Sequence, residues 1–273
     1  MTGLSTAAPA VTGSVHSFDI STGVDGPGSR FVAFLAGCPL RCQYCHSPDT
    51  QYRRYGRPTT ADDLLREIRR YERFLKVANG GVTISGGEPL QQPAFTREVL
   101  RGCKQMRLHT ALDTSGFLSD RADDALLDAT DLVLLDVKSG DPRTYRKVTR
   151  TGRLAPTVRF AHRLADRGMP IWVRLVLVPG LTDDPANVDA VATIAAGVPT
   201  VERVEVLPFH RLGAARYAAL GLPFPLAGTP APDAALLRRV RDQFRDHGLT
   251  VHGPFAADPG PSALTGTAPT EHP

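Results

Sequence analysis

The 273-residue chain reads as an α/β protein, an α/β barrel or incomplete barrel, on three observations. Six short apolar runs alternate with helical patterns through its middle. Several runs, such as "VLL" and "VLV", are apolar on both faces, which suits parallel strands covered by helices rather than a sheet with one wet face. Each run also closes on a polar or glycine-rich group, where parallel α/β architectures bind ligands. Six β/α units with no linker between them favour one barrel-like domain over an open doubly wound sheet. At 42% apolar residues the chain can bury a full core as one large domain.

In order, the β-runs are "RFVAFLAG" (30–37), "GVTISGG" (81–87), "HTALDTSG" (109–116), "DLVLLDVK" (131–138), "IWVRLVLVPG" (171–180) and "VERVEVLPFH" (201–210). Between the first two, Leu64, Leu65, Ile68, Tyr71 and Leu75 recur at helical spacing behind Thr60, whose hydroxyl suits an N-cap. Further helices are expected after Pro93, Asp120, Pro156 and Asp184, and from Pro232 to His247. Residues 1–12 and 253–273 are rich in Pro, Gly, Ala and Thr with too few large apolar residues to pack. Both ends are expected to be disordered, flanking a folded domain at 13–252.

Composition narrows the function classes. No signal-peptide pattern opens the chain and no stretch approaches the roughly 18 apolar residues of a membrane span, so a cytoplasmic protein without a membrane partner is expected. The formal charge is +4 and the pI about 9, but the basic residues read as scattered, so no nucleic-acid partner is expected.

The chemistry concentrates in "GCPLRCQYCH" (37–46), which holds three of the four cysteines. In a reducing compartment clustered cysteines bind metal or do redox chemistry. Cys38, Cys42 and Cys45 can wrap a [4Fe-4S] cube and leave its fourth iron open. A closed zinc site with His46 or Cys103 as fourth ligand, in a nucleic-acid-binding protein, is the alternative. Cys103 shares a helical face with Val99 and Leu100, and fits the core as a small hydrophobe. Gly86 and Gly87 permit close backbone approach. Arg174, within an apolar strand, calls for a carboxylate or substrate backbone as partner. Lys138 suits a ligand carboxylate or a solvated strand end; His210 alone reads as a packing or surface histidine; "DGPG" (Asp25, Gly26, Pro27, Gly28) alone reads as a Pro-Gly turn.

C-x3-C-x-aromatic-C with Tyr44 as the aromatic, followed by a strand and "GGE", resembles the radical S-adenosylmethionine superfamily, whose fold is a partial (β/α)6 barrel of TIM type. Six motifs in order ("VDGPGSRFVAFLAGCPLRCQYCH", "GGVTISGGEPLQQ", "HTALDTSGF", "DLVLLDVK", "VPGLTDD" and "VLPFHRLG") are similar to the activating enzymes of pyruvate formate-lyase, over about residues 13–250. The resemblance implies a [4Fe-4S] cluster on Cys38, Cys42 and Cys45. It implies S-adenosylmethionine held by Tyr44, Cys45, His46, Gly86, Gly87, Asp136, Val137, Lys138, Arg174 and His210, and a substrate-peptide loop at Asp25–Gly28. Cleavage of the cofactor to a 5'-deoxyadenosyl radical, with flavodoxin or ferredoxin as electron donor, would then place a glycyl radical on a partner enzyme.

Asp113 and Asp136 end adjacent β-runs and would repel each other beside the cofactor's carboxylate. The resemblance implies a Na+ or K+ ion between them, completed by Thr114 and the Leu134 backbone. No inserted cysteine-rich segment precedes "GGE", which favours the pyruvate formate-lyase type over activases of other glycyl-radical enzymes. Ser47 stands where close relatives often carry Asn.

Overall fold

A computed structural model describes residues 10–253. The two ends expected to be disordered lie largely outside the described residues, and β1 (Thr12–Thr22) begins at the last residue of the first.

All six predicted runs are strands: β2 (Ser29–Leu35), β4 (Gly81–Gly86), β5 (His109–Thr114), β6 (Leu132–Asp136), β7 (Ile171–Leu177) and β8 (Val201–Pro208). Three more strands join the same sheet: β1, β3 (Arg57–Thr60) and β9 (Val251–His252). The order is β3-β1-β2-β4-β5-β6-β7-β8-β9. β1 pairs antiparallel with β2 and β3, and every pairing from β2 to β9 is parallel.

Because the parallel strands follow one another without reversal, right-handed crossovers send the longer helices to one face. That face carries the main apolar core, which includes Leu64, Ile68, Val99, Phe160 and Val191 from the helices and Phe31, Ile84, Leu112 and Val133 from the strands. The opposite face holds a small separate cluster, Ala111, Leu132, Leu134 and Trp172. The sheet is therefore the wall of a partial barrel, with the small cluster as its inner packing and β3 and β9 as its unclosed edges.

The helices follow from local chemistry. α1 (Ala61–Val77) opens on Thr60, whose hydroxyl accepts from the Asp63 N–H as the sequence predicts. α2 (Pro93–Gln105) and α6 (Pro185–Ala196) place a proline in the first turn, where a missing N–H costs nothing. α3 (Asp124–Asp128) and α8 (Ala234–Asp246) are capped by Asp123 and Asp233. α5 (Leu154–Asp166) starts two residues before Pro156, which sits in its first turn. Two short helices escape the sequence reading. α4 (Pro142–Thr149) and α7 (Ala214–Ala219) lie on the loops after β6 and β8, against the cysteine segment. No described helix is long and apolar enough to cross a membrane.

Candidate active site

The chain leaves β2 at Leu35 and enters a closed loop. The Gly37 N–H donates to the Thr50 carbonyl at 2.7 Å and the Cys38 N–H to that of Gln51 at 3.1 Å, so both ends of the loop meet. The Cys45 N–H donates to the Cys42 carbonyl at 3.1 Å, a turn that brings these cysteines to one side. All three are half-buried and line one cavity of about 430 Å³ at the C-terminal edge of the sheet. Burial pushes all three upward, Cys42 to about 12, and neighbouring thiols add to the rise at Cys38 and Cys42. They are therefore protonated until a cation displaces the protons, as metal binding requires.

Among the described residues, no three His, Cys, Asp or Glu side chains converge as ligands of a single ion. Three thiols on one cavity wall are the donor set of a [4Fe-4S] cube with one open iron. Cys103 packs in the main core and does not reach the cavity, which removes it as a fourth zinc ligand. The buried Tyr44 hydroxyl has no hydrogen-bond partner among the described residues, and its ring lines the same cavity.

The "GGE" segment follows β4 and is stitched to the cysteine loop. The Gly87 N–H donates to the Leu35 carbonyl at 2.7 Å and the Glu88 N–H to that of Gly37 at 2.9 Å. Gly86 adopts φ +113°, and a Cβ on it would collide with the Leu35 backbone. A Cβ on Gly87 would strike the Gly37 carbonyl and stand 2.7 Å from that of Thr50. Sequence reasoning reserved these glycines for ligand approach; they first make room for the chain's own strand end and cysteine loop.

Glu88, which that reasoning left without a role, is 1% exposed. It accepts from the Thr114 and Ser115 hydroxyls at 2.6 Å each, and from the Ser115 and Leu90 N–H groups at 3.1 Å each. Four donors hold a carboxylate that has no cation beside it among the described residues, and tie the end of β4 to the end of β5. Its one sequence signal is a charge set between two glycines and a proline at a strand end.

The ends of β5, β6 and β7 carry the charges. Asp113 accepts from the Ser85 hydroxyl at 2.6 Å and stands 3.5 Å from an Arg174 nitrogen. Burial pushes Asp113 up to about 7; Arg174 pulls the other way, and Asp136 adds to the rise. Asp136 pairs with Lys138. Burial works against the Lys138 charge, but Asp136 outweighs it and holds the ammonium well above its usual range. The Lys138 nitrogen lies 5.6 Å from the Tyr44 ring centre.

Arg174, 5% exposed, finds the partners expected of it. These are the Glu205 carboxylate at 2.9 Å, the Asp25 carboxylate at 3.8 Å and the Val24 carbonyl. "DGPG" is thus the turn of the β1–β2 hairpin, with Val24 and Asp25 drawn into the cavity while Gly26, Pro27 and Gly28 stand outside its lining. The His46 and His210 rings lie 5.9 Å apart at the cavity rim. α7 clamps this corner: Gly213 packs on the His46 backbone, and Arg216 donates to the Ser47 hydroxyl at 2.7 Å.

The cavity therefore gathers most of the predicted residues. Two stand apart. The Val137 side chain belongs to the main core behind the sheet, leaving only its backbone for a ligand. The Leu134 side chain packs in the inner cluster, and the Thr114 hydroxyl is already committed to Glu88.

Comparison with known proteins identifies the family. Residues 32–189 match the model of the radical SAM superfamily. A pyruvate formate-lyase-activating enzyme of Listeria monocytogenes is 42% identical over 229 residues, 82% of this chain and 92% of that protein. The pyruvate formate-lyase 1-activating enzyme of Escherichia coli K12 is 37% identical over 89% of this chain and 99% of that one. A solved domain of a pyruvate-formate lyase-activating enzyme from Bacteroides vulgatus superposes with a TM-score of 0.54 at 25% identity, over 64% of this chain and 98% of that one. Streptococcus suis SuiB bound to its precursor peptide SuiA superposes with a TM-score of 0.61 at 16% identity, over 79% of this chain and 46% of that one, a likeness of fold alone. With its cysteine triad, strand-edge cavity and near full-length relatives, the chain belongs to the radical SAM superfamily, and within it to the family of pyruvate formate-lyase-activating enzymes.

Proposed function

We propose that the protein activates pyruvate formate-lyase by generating a glycyl radical on it. One observation carries the reading: three thiols, the "GG" strand end and the Asp136–Lys138 pair share one cavity, in a chain related over most of its length to proteins with this activity. When bound, a [4Fe-4S] cluster on Cys38, Cys42 and Cys45 supplies the electron that cleaves S-adenosylmethionine to methionine and a 5'-deoxyadenosyl radical.

This chain's residues do the rest by positioning and exclusion. Lys138 is the cation suited to the methionyl carboxylate, and the backbone at Gly87 with Asp136 suits the ammonium. Tyr44, Phe209 and Leu207 close the cavity with apolar surface, which shields a reactive carbon radical from water. His46 and His210 flank the adenosine end. Arg174 holds Val24 and Asp25 in place to meet the backbone of the partner's glycine loop. Four carboxylates (Asp25, Asp113, Asp136, Glu205) face three cations (Arg174, Lys138 and, on Glu205, Arg203) here, an imbalance that a monovalent cation between Asp113 and Asp136 would reduce. The electron donor is a flavodoxin or ferredoxin.

The test is direct. Anaerobically reconstituted protein, given S-adenosylmethionine, a reductant and pyruvate formate-lyase, is expected to yield 5'-deoxyadenosine and the EPR doublet of a glycyl radical on the lyase. A cluster-loaded protein that cleaves the cofactor without that doublet points to another substrate; a colourless, zinc-loaded protein defeats the reading.

A further inference from the structure

The cations of this chain are unevenly partnered. Along α1 to α3 and the end of α5 many stand in ion pairs: Arg66 with Asp63, Lys104 with Asp131, Arg167 with Asp124 and Asp128. Beside the cysteine loop most of the described cations do not, Arg216 with Asp49 at 3.8 Å being an exception. Between Asp141 and Asp166 the chain carries seven Lys or Arg residues and no carboxylate; of these Arg163 is paired, with Asp124 at 3.0 Å. Between Gly37 and Pro58 four arginines meet one acid, Asp49, which is already bound to His16 at 3.0 Å. Among the described residues Arg41, Arg54, Arg146, Lys147, Arg150 and Arg153 form no ion pair.

Tertiary contacts bring these two stretches together. The Arg41 and Gln43 N–H groups donate to the Thr149 and Val148 carbonyls at 2.9 Å each. The Gln43 amide donates to the Lys147 carbonyl, and the Thr151 hydroxyl to that of Pro39, both at 2.8 Å. The end of α4 thus lies along the strip that holds Cys38 and Cys42. On the strip's other flank the Arg41 and Arg54 guanidinium groups both stack on the Tyr52 ring, 4.8 and 4.6 Å from its centre, an arrangement that crowds like charges at the surface. Cations that read as scattered in sequence form one basic face.

This face is the outer side of the segment whose Leu40, Cys42 and Tyr44 line the cavity. A substrate glycine must enter the cavity to lose its hydrogen. An electron need only cross the wall. An unpaired basic surface backed directly by the cysteines raises the encounter rate with an acidic macromolecule and orients it there. We propose that the face formed by Arg41, Arg54 and the Arg146–Arg153 segment is the docking surface for an acidic one-electron carrier protein; this rests on the reading that the cysteines hold a redox cluster.

The experiment uses the full chain with its cluster reconstituted, and the triple variant R54E/R146E/K147E, with thermal unfolding to verify that the variant folds. Binding of a purified acidic flavodoxin is titrated by flavin fluorescence, a readout independent of turnover. The unmodified protein is expected to bind at low salt and to weaken steeply as NaCl rises; the variant is expected to bind at least about tenfold more weakly, with little salt dependence. Cleavage of S-adenosylmethionine driven by dithionite is expected to be equal in the two proteins, while flavodoxin-driven cleavage falls in the variant. Equal flavodoxin affinity, or no binding by the unmodified protein at low salt, overturns the proposal. So does a variant that loses dithionite-driven cleavage, or that loses affinity for pyruvate formate-lyase or duplex DNA while keeping it for flavodoxin. If the unmodified protein fails to cleave the cofactor with dithionite, the functional reading fails instead, and the titration still decides the docking face.

Discussion

Arg174 on β7 and Glu205 on β8 are directly opposed across the strand pair, with the arginine Nε donating to the carboxylate at 2.9 Å. This pair fixes the guanidinium inside the barrel, so that its other nitrogens reach Asp113 and the Val24 carbonyl. Glu205→Gln is expected to cost on the order of 1–3 kcal/mol, since Arg174 keeps Asp113 and Asp25 as partners. A melting temperature lower by about 2–4 °C per kcal/mol would register it. Affinity for the glycine-loop peptide is expected to fall while that for S-adenosylmethionine holds. Equal losses of both would remove the distinction.

Gly87→Ala is expected to impair cluster loading and cofactor binding together. The added carbon meets the Gly37 and Thr50 carbonyls, backbone that cannot swing aside without moving Cys38. Iron content and the cofactor-induced change in the cluster's EPR signal measure the two effects. A fully loaded variant that lost only cofactor binding would show that the ligand, not the cysteine loop, sets the limit here.

Replacing Cys38, Cys42 or Cys45 singly with Ala is expected to abolish cluster binding and activity. Cys103→Ala is expected to keep both, at a cost on the order of 1 kcal/mol for a small cavity in the main core. Iron analysis and broad absorption near ~400 nm, typical of thiolate-bound clusters, separate the cases. A folded Cys103 variant without iron would refute the assignment.

Sodium or potassium is expected to tighten S-adenosylmethionine binding and speed its cleavage, and Asp113→Ala or Asp136→Ala to remove most of that dependence. Ionic strength is held with a bulky organic cation, because general screening would mimic the effect. Burial raises Asp113 to about 7, so a proton competes with the metal ion, and the cation effect is expected to shrink as the pH falls through that value. Identical affinity and rate in all three salts would eliminate the site.

The order of chemistry along the chain was legible without coordinates. Strong apolar runs are strands because burial on both faces needs no partner information, and Thr60 caps α1 because that hydrogen bond is local. The cysteine spacing likewise marked a metal or cluster site, since its ligands lie within eight residues, and the resemblance of the surrounding motifs pointed to the cluster. β1 and β3 were not legible; β1 is polar and largely exposed over its second half with no clean alternation, and β3 has four residues with a proline. Short α4 and α7 carry too few apolar positions to show a period, yet they pack on the cysteine loop.

Tertiary structure alone decided which charges meet. Arg174 and Glu205 are 31 residues apart, and Glu88 finds Thr114 and Ser115 26 and 27 residues away. An Arg in an apolar strand announces that it needs an anion, but the sheet's register chooses which one. The glycines of "GGE" show the same division: sequence said that no side chain fits there, and the fold showed that the occupying atoms are the Gly37 and Leu35 backbone. Local hydrogen bonds and hydrophobic periodicity act over a few residues and can be read along the chain, whereas electrostatic and steric contacts act through space and exist only once the strands are in place.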